Sequence, residues 1–447
     1  MKKKDEAGVE HWLGGLGLNR FHYAVMLLAG LVELFSGYNS QIIAYTMPQI
    51  MPEWKLNPVL GGTLSAYTFV GFMVGSLGLG TIADRIGRKR TLMLSVALFA
   101  GFGGLAGLAP SFWPFVLLRF LSGIGMGAAL PVAIALVSEY APARVRARAV
   151  TVMTCGFNLG WAVAGLGGIL IIPAWGWRAA LLAGALPLLM VPVLWWWLPE
   201  SVHFLAARGR HGEAVRELRR LEKAAGLPAR DWRAEHFSGG EKGAGRVREI
   251  LGEGLAATTL LLWIMYLLIF LVIYGVTMWL PTFLLRSGFS LAGGYGLGIF
   301  QSLCTAAGGI ASGYLMDRWG RKPVLAGYYL VGAAALCLLA ASSSFWTLAV
   351  ATAATGVFLV SVPMLQHVVA GETYPTTVRS TGVGWALTVG RLGSILGPVL
   401  VGGLQMAGLG LRADFLLLAL PCFLCGALTL LPVFRTVGRP ERVSVSA

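Results

Sequence analysis

The sequence consists largely of apolar runs of about 20 residues, separated by short polar turns. A run of that length can cross a bilayer as a helix, because a helix satisfies its own backbone hydrogen bonds in lipid. Six runs precede residue 199 and six follow residue 255. They cover residues 24–46, 60–83, 91–109, 113–138, 149–172, 178–198, 256–284, 293–316, 323–341, 346–370, 379–404 and 412–433. The pattern predicts an all-α membrane protein with twelve transmembrane helices.

The composition agrees with lipid as the solvent. Only 12% of the 447 residues are charged and 56% are hydrophobic, whereas a soluble domain carries about 25% charged residues. The N-terminal segment, residues 1–19, lacks an apolar core followed by a cleavage site, so no removable signal peptide is expected.

The positive charges predict the orientation. Of the 35 Lys and Arg residues, 29 fall in segments that are cytoplasmic if the N-terminus is cytoplasmic. Only four fall in the opposite loops, namely Lys55, Arg178, Arg286 and Arg412. By the positive-inside rule both termini are cytoplasmic, and a cell inner membrane is expected. The net charge of +15 is therefore an orientation signal and does not indicate a nucleic-acid partner.

The one long polar insertion divides the chain. Residues 199–255 mix 11 basic with nine acidic residues, and residues 214–221 have the pattern of an amphipathic helix. A solvated linker is the simpler interpretation of the same segment. The predicted domains are an N-terminal six-helix bundle (1–198), a central cytoplasmic loop (199–255) and a C-terminal six-helix bundle (256–447).

A charged turn occurs twice. Residues 80–90 read GTIADRIGRKR, and residues 313–322, which lie 233 positions later, read GYLMDRWGRK. The same offset relates Glu139 to Glu372, Pro142 to Pro375, Arg146 to Arg379, and Gly160 to Gly393. Two different helix junctions thus recur at the same offset of 233 residues. This recurrence indicates duplication of a six-helix unit, and many secondary transporters are built from such repeats.

The turn at 80–90 resembles the signature loop of the major facilitator superfamily, and 313–322 resembles its second copy. The resemblance implies two six-helix bundles that rock around a central site. It also implies gating roles, in which charged pairs at the helix ends lock the cytoplasmic face. The residues concerned are Asp84, Arg88, Asp317, Arg321, Glu139 and Glu372. The alternative, that the basic residues only set topology, is compatible with gating.

Two further stretches of sequence resemble one particular family within this superfamily. Residues 374–386 (YPTTVRSTGVGWA) and 390–398 (GRLGSILGP) are similar to the aromatic acid:proton symporter family. Residues 198–201 and 119–127 are shared with sugar porters and are less specific. The family implies import of an aromatic carboxylate of the benzoate type by a monomer in the lipid bilayer, with protons as the coupling ion and without a cofactor.

Three charged residues lie deep in the apolar runs: Glu33, Arg119 and Arg391. A charge at the bilayer centre costs about 2.5–3.5 kcal/mol on insertion scales, so each is a functional candidate, although an Arg can also tie helix carbonyls together. Arg391 is expected to hold the carboxylate, and Arg119 and Asn39 lie at similar depth. The flat walls of the binding site are predicted to be aromatic side chains, namely Trp161, Trp385, Tyr67 and Phe69. Contacts to the substituents of the substrate ring are predicted from Asn158, Gln41 and Gln301. Ordinary helix packing is the alternative for the aromatic residues.

The first helix departs from the family pattern. The aromatic acid symporters carry Asp-Gly-Tyr-Asp where this chain has Ser36-Gly37-Tyr38-Asn39. Asn39 cannot change charge and so cannot couple proton flow. Glu33, three residues before Ser36 on the same helix face, can replace the lost acids. The sequence favours proton coupling through Glu33 and leaves a uniporter or exchanger as the alternative.

Other functions are less well supported. A nicotinate, a dicarboxylate or a sugar acid is the alternative substrate. The fifth run lacks the Gly-Pro element typical of drug antiporters, and a non-transporting sensor would bind without flux. No catalytic or metal-ligating set is evident: Cys422 and Cys425 are interpreted as packing residues, and His367 as packed or interfacial. An enzyme is therefore not expected.

Overall fold

The structure is a computed structural model, and it describes residues 8–237, 247–252, 254–342, 344–375 and 378–431. These residues form helices joined by short turns, and no strand occurs among them. The helices of the first half are α1 (Val9–Gly15), α2 (Arg20–Glu53), α3 (Pro58–Ile86), α4 (Arg88–Leu105), α5 (Phe112–Tyr140), α6 (Arg146–Leu170), α7 (Ile172–Ala183), α8 (Met190–Trp197), α9 (Val202–Ala207) and α10 (His211–Ala225).

The second half continues the pattern. Its helices are α11 (Val247–Ile250), α12 (Ala256–Arg286), α13 (Leu291–Trp319), α14 (Arg321–Ala341), α15 (Phe345–Thr355), α16 (Val362–Thr373), α17 (Arg379–Met406) and α18 (Gly410–Thr429). Each of the twelve predicted apolar runs coincides with one of these helices or with a broken pair of them. Residues 432–433 of the last run lie outside the described residues.

Ten of the described helical segments are long and apolar enough to cross a membrane, and a bent pair makes an eleventh. The pair joins Ile172–Ala183 to Leu186–Trp197 at an angle of 46°, next to Pro187. The run at 293–316 is helical as α13 and is not among these eleven segments. The run at 346–370 contains a π-helical stretch, Gly356–Val360, between α15 and α16.

The chain divides into two compact units. One contains the described residues of Met1–Ile50 and Tyr67–Glu241, and the other contains those of Met51–Ala66 and Lys242–Ala447. The first unit therefore includes α9 and α10 of the central insertion. The apolar face of α10, made of Ala214, Leu218 and Leu221, is buried in the same core as Val9 and Leu13 of α1. The amphipathic pattern in the insertion thus forms a packed helix. The bundle boundaries at 198 and 255 stay a prediction.

Equivalent glycines in the two charged turns have the same backbone conformation. Gly87 has φ of 101° and Gly320 has φ of 88°, a region that residues with a side chain rarely adopt. Each glycine ends one long helix and directly precedes the next. The duplicated turn therefore uses glycine to reverse the chain within one residue.

A second pair of equivalent glycines lies at close helix crossings. A Cβ on Gly160 of α6 would collide with the backbone carbonyl of Leu34, and a Cβ on Gly393 of α17 would collide with that of Leu267. Small residues at such crossings let membrane helices approach to backbone contact. The two equivalent glycines thus bring α2 against α6 in one unit and α12 against α17 in the other, and the pair of α12 and α17 supports the candidate site described below.

Candidate functional site

Arg391 lies on α17 against the aromatic face of α12. Its Nη1 donates a hydrogen bond of 3.3 Å to the hydroxyl of Tyr274. Its guanidinium carbon stands 5.5 Å from the centre of the Phe270 ring, within cation–π range. The side chain is half-buried rather than enclosed. The hydrogen bond and the ring face both help to hold the positive charge in position.

The aromatic residues of α12 form a stripe. Tyr266, Phe270 and Tyr274 follow one another at four-residue spacing, and their ring centres are separated by 6.1 and 6.0 Å. Residues four apart share a helix face. Gly390 on α17 makes room for the stripe, because a Cβ there would overlap the Phe270 ring. Tyr266, Phe270 and Tyr274 are not among the predicted site residues, although their four-residue spacing is visible in the sequence.

Trp385 and Gln301, two predicted contact residues of the same unit, have different surroundings. Trp385, on α17 with Arg391, is 38% exposed and stacks on Trp263 at 6.1 Å. Gln301 on α13 is buried, and its Nε2 donates to the hydroxyl of Thr355 at 2.9 Å. Trp385 is therefore available as a flat wall, whereas Gln301 contributes to helix packing.

Arg119 of the first unit is fully buried on α5. Its Nη2 donates to the backbone carbonyl of Asn39 at 2.7 Å, and its Nε donates to the hydroxyl of Thr68 at 3.2 Å. The described residues supply no carboxylate as an ion-pair partner for this guanidinium. The arrangement corresponds to the interpretation in which the arginine ties helices together through a carbonyl.

The side chain of Asn39 is also used in packing. Its Nδ2 donates to the backbone carbonyls of Gly184 at 3.0 Å and Phe35 at 3.2 Å. The amide is fully buried, and a Cβ on Gly184 would come within 2.7 Å of its Oδ1. Asn39 and Arg119 thus lie at similar depth, as predicted, and meet through the Asn39 backbone rather than through its side chain.

The remaining predicted residues of the first unit differ in exposure. Glu33 is completely buried on α2, and Gln41 is nearly so. Trp161 is buried with its ring 5.9 Å from that of Phe157, and Phe69 is also buried. Tyr67 and Asn158 are half-buried. The positions of these side chains do not by themselves assign a role to any of them.

The first junction, between α3 and α4, contains two of the predicted gating residues in contact. Asp84 and Arg88 form an ion pair of 2.9 Å, and the Arg88 guanidinium lies 5.5 Å from the Phe204 ring centre. Glu139, at the end of α5, accepts a 2.9 Å hydrogen bond from the backbone N–H of His203 in α9. Helix α9 of the central insertion therefore engages two of the predicted gating residues.

Glu200 was not predicted as a site residue and lies at the centre of this junction. One of its carboxylate oxygens accepts from the backbone N–H groups of Arg88 at 2.7 Å, Lys89 at 3.1 Å and Ser201 at 2.9 Å. Two of these donors belong to the first turn of α4, where N–H groups lack partners within the helix. The segment 198–201 was recognised in the sequence, but nothing in it indicated this partner.

The second junction pairs its residues differently. The Nη2 and Nε of Arg321 donate to one carboxylate oxygen of Glu372 at 2.8 and 2.9 Å. Asp317 is exposed and forms no ion pair within the described part of the chain. The duplicated sequence thus yields one pair within the turn and one pair between the turn and the end of α16.

Neither a metal nor a thiol centre is evident. In the described ranges, no three His, Cys, Asp or Glu side chains converge as metal ligands do. Cys422 and Cys425 are buried free thiols on α18.

Comparison with known proteins gives a consistent result. A model of the Major Facilitator Superfamily matches residues 29–302 and 298–446. The chain is 35% identical over 421 residues to the gallate transporter of Pseudomonas putida, covering 93% of this chain and 92% of that protein. It is 31% identical over 449 residues to the benzoate transport protein of Acinetobacter baylyi, covering 98% of this chain and 95% of that protein.

A solved structure supports the same fold. The xylose transporter XylE from E. coli, in a partially occluded inward open conformation, aligns with a TM-score of 0.70 and 18% identity. The alignment covers 91% of this chain and 96% of XylE. At this identity the likeness extends to the fold alone.

We expect Glu200→Ala to destabilise the first unit. The substitution removes a charged acceptor from three backbone N–H groups, which costs about 1–3 kcal/mol. Thermal unfolding of the purified protein in detergent measures the effect. Glu213→Ala is the matched control, because Glu213 pairs with Arg210 at the surface of α10, where Arg210 lowers its pKa. Equal melting temperatures for the two variants would contradict the assigned role of Glu200.

Proposed function

The chain belongs to the Major Facilitator Superfamily, and we propose that it imports an aromatic carboxylate across a membrane by alternating access. It is a multi-pass membrane protein and a transporter rather than an enzyme. Relatives at 35% and 31% identity over nearly the whole chain are named for gallate and for benzoate. Both substrates are aromatic rings that carry a carboxylate, and this shared chemistry supports the proposal.

The geometry around Arg391 carries the proposal within this chain. A guanidinium binds a carboxylate through two parallel hydrogen bonds. Here the guanidinium adjoins Phe270 and Tyr274, whose rings are buried in this structure. We propose that these rings become accessible when the carrier binds its substrate, so that the ring of an aromatic acid lies against them while its carboxylate meets the positive charge. Trp385 on α17 is an aromatic residue that is already exposed. A cation beside flat walls matches a benzoate better than a sugar acid or a dicarboxylate.

The first unit contributes less direct support. Arg119 and Asn39 are engaged in contacts between helices, and we keep them as proposed binding residues only for a state in which those contacts open. Gln41, Tyr67, Asn158 and Trp161 of the first unit remain proposed contacts on the same basis, and so does Gln301 of the second unit.

We further propose that the junction residues gate access. The pairs Asp84–Arg88 and Arg321–Glu372 join chain segments through charge-assisted bonds at helix ends. Such bonds can break and re-form when the two states of a carrier interconvert. Glu139 contributes through α9, and Asp317 is proposed by its equivalence to Asp84.

Proton coupling is proposed through Glu33. A carboxyl in the interior of a membrane protein is costly when charged, so it persists where it serves ion binding or proton transfer. Glu33 is completely buried on α2, and the positions of the two family acids hold Ser36 and Asn39. We place the carrier in a cell inner membrane as a monomer, with both termini in the cytoplasm.

We expect Arg391→Gln to lower the efficiency of benzoate uptake about 10–100-fold. The substitution removes the charge-assisted hydrogen bonds to the carboxylate and leaves a shorter, neutral polar side chain. Uptake of labelled benzoate into proteoliposomes of purified protein measures the effect. Arg286→Gln, at the far end of α12, serves as control because Arg286 contacts only Gln405 at the surface in the described structure. Wild-type uptake by Arg391→Gln would overturn the assignment.

We expect Glu33→Gln to abolish accumulation against a gradient but to preserve exchange. The amide cannot carry a proton, so an imposed pH step across the vesicle membrane no longer drives uptake. Labelled benzoate is measured twice, under a pH step and in counterflow. Glu53→Gln, at the exposed end of the same helix, is the matched control. Accumulation by Glu33→Gln under the pH step would exclude Glu33 as the coupling site.

A further inference from the structure

His367 lies on α16 beside the aromatic stripe of α12. Its ring packs edge-on against Tyr266, with ring centres 5.7 Å apart and an interplanar angle of 70°. Tyr266 is completely buried, whereas the imidazole is only half-buried. The histidine residue is therefore less enclosed than the tyrosine on which it packs.

The hydrogen bond of one ring nitrogen fixes the tautomer. Nδ1 of His367 is bonded to the backbone carbonyl of Pro363. A carbonyl oxygen only accepts, so Nδ1 carries the proton and donates it. In the neutral ring Nε2 is then a hydrogen-bond acceptor. Within the described part of the chain, no donor is bonded to that nitrogen.

The acceptor and the positive charge of Arg391 adjoin the same row of aromatic rings on α12, and these rings are buried in this structure. Tyr266 contacts His367 on one side, and its ring centre is 6.1 Å from that of Phe270 on the other. Phe270 in turn lies 5.5 Å from the guanidinium of Arg391. A cation, a ring surface and a lone hydrogen-bond acceptor therefore follow one another in one unit.

From this arrangement we propose that His367 selects aromatic acids with a phenolic hydroxyl. The proposal rests on the proposed function, in which Arg391 binds the carboxylate and Phe270 contacts the ring. The hydroxyl then donates to Nε2 of His367. Benzoate lacks the donor and leaves Nε2 unpaired. Nicotinate is also a poor match, because its ring nitrogen is an acceptor.

The test compares 4-hydroxybenzoate with benzoate in proteoliposomes of the full-length carrier. The wild-type carrier transports 4-hydroxybenzoate more efficiently than benzoate. His367→Phe keeps an aromatic ring without the acceptor, and it lowers this preference about tenfold. His367→Gln retains an acceptor oxygen and recovers part of the preference. His211→Phe, the same substitution in α10, leaves the preference at the wild-type value.

Two negative results have different meanings. If the wild-type carrier takes up neither acid, the proposed function fails. If it takes up both and His367→Phe reduces both equally, the selectivity role of His367 is overturned while the function stands. Should a His367 variant lose flux altogether, equilibrium binding of the two acids to the detergent-solubilised carrier yields the same ratio. An unchanged binding ratio then counts against the proposal.

Discussion

A positive charge inside a membrane must be stabilised by the groups around it, and this requirement shapes both units. An unpaired charge in a medium of low dielectric constant is expensive. Arg119 meets the requirement with a backbone carbonyl and a hydroxyl, and it is completely buried as a result. The charge of Arg391 is stabilised by the hydroxyl oxygen of Tyr274 and the ring face of Phe270, and the Arg391 side chain remains half-buried. The first arrangement ties helices together, whereas the second leaves Arg391 half-buried beside aromatic rings, where we propose that it binds an anionic ligand.

The second arrangement depends on how closely α12 and α17 approach. Gly393 allows backbone contact with Leu267, and Gly390 makes room for the Phe270 ring. A larger residue at either position would move the aromatic stripe away from Arg391. The equivalent glycine of the first unit, Gly160 on α6, makes the same kind of close contact with Leu34 of α2. The duplication thus preserved this helix crossing in both units, whereas the position equivalent to Arg391 in the first unit is Asn158.

The sequence predicted the helices well because the apolar runs and the glycine turns are local signals. The 233-residue repeat located Gly87 and Gly320, both of which have positive φ. The partners of Arg391 were not predicted. Tyr274 and Phe270 lie more than 100 residues away in the sequence, on α12, and the sequence does not define which side of α12 packs against α17. Asn39 was expected to face a ligand, and its amide instead bonds the carbonyl of Gly184. The role of Glu200 depends on a chain reversal of the central insertion, which no local pattern specifies.

The central claim is that a fixed guanidinium beside an aromatic surface recognises the carboxylate of an aromatic acid. Competition with a neutral isostere tests it most directly. Uptake of labelled 4-hydroxybenzoate by reconstituted carrier is measured with increasing unlabelled 4-hydroxybenzoate or 4-hydroxybenzamide, which keeps the ring and the hydroxyl but has no charge. The account expects the amide to compete at least about tenfold more weakly, because the charge-assisted bonds are lost. Equal competition by acid and amide would contradict it.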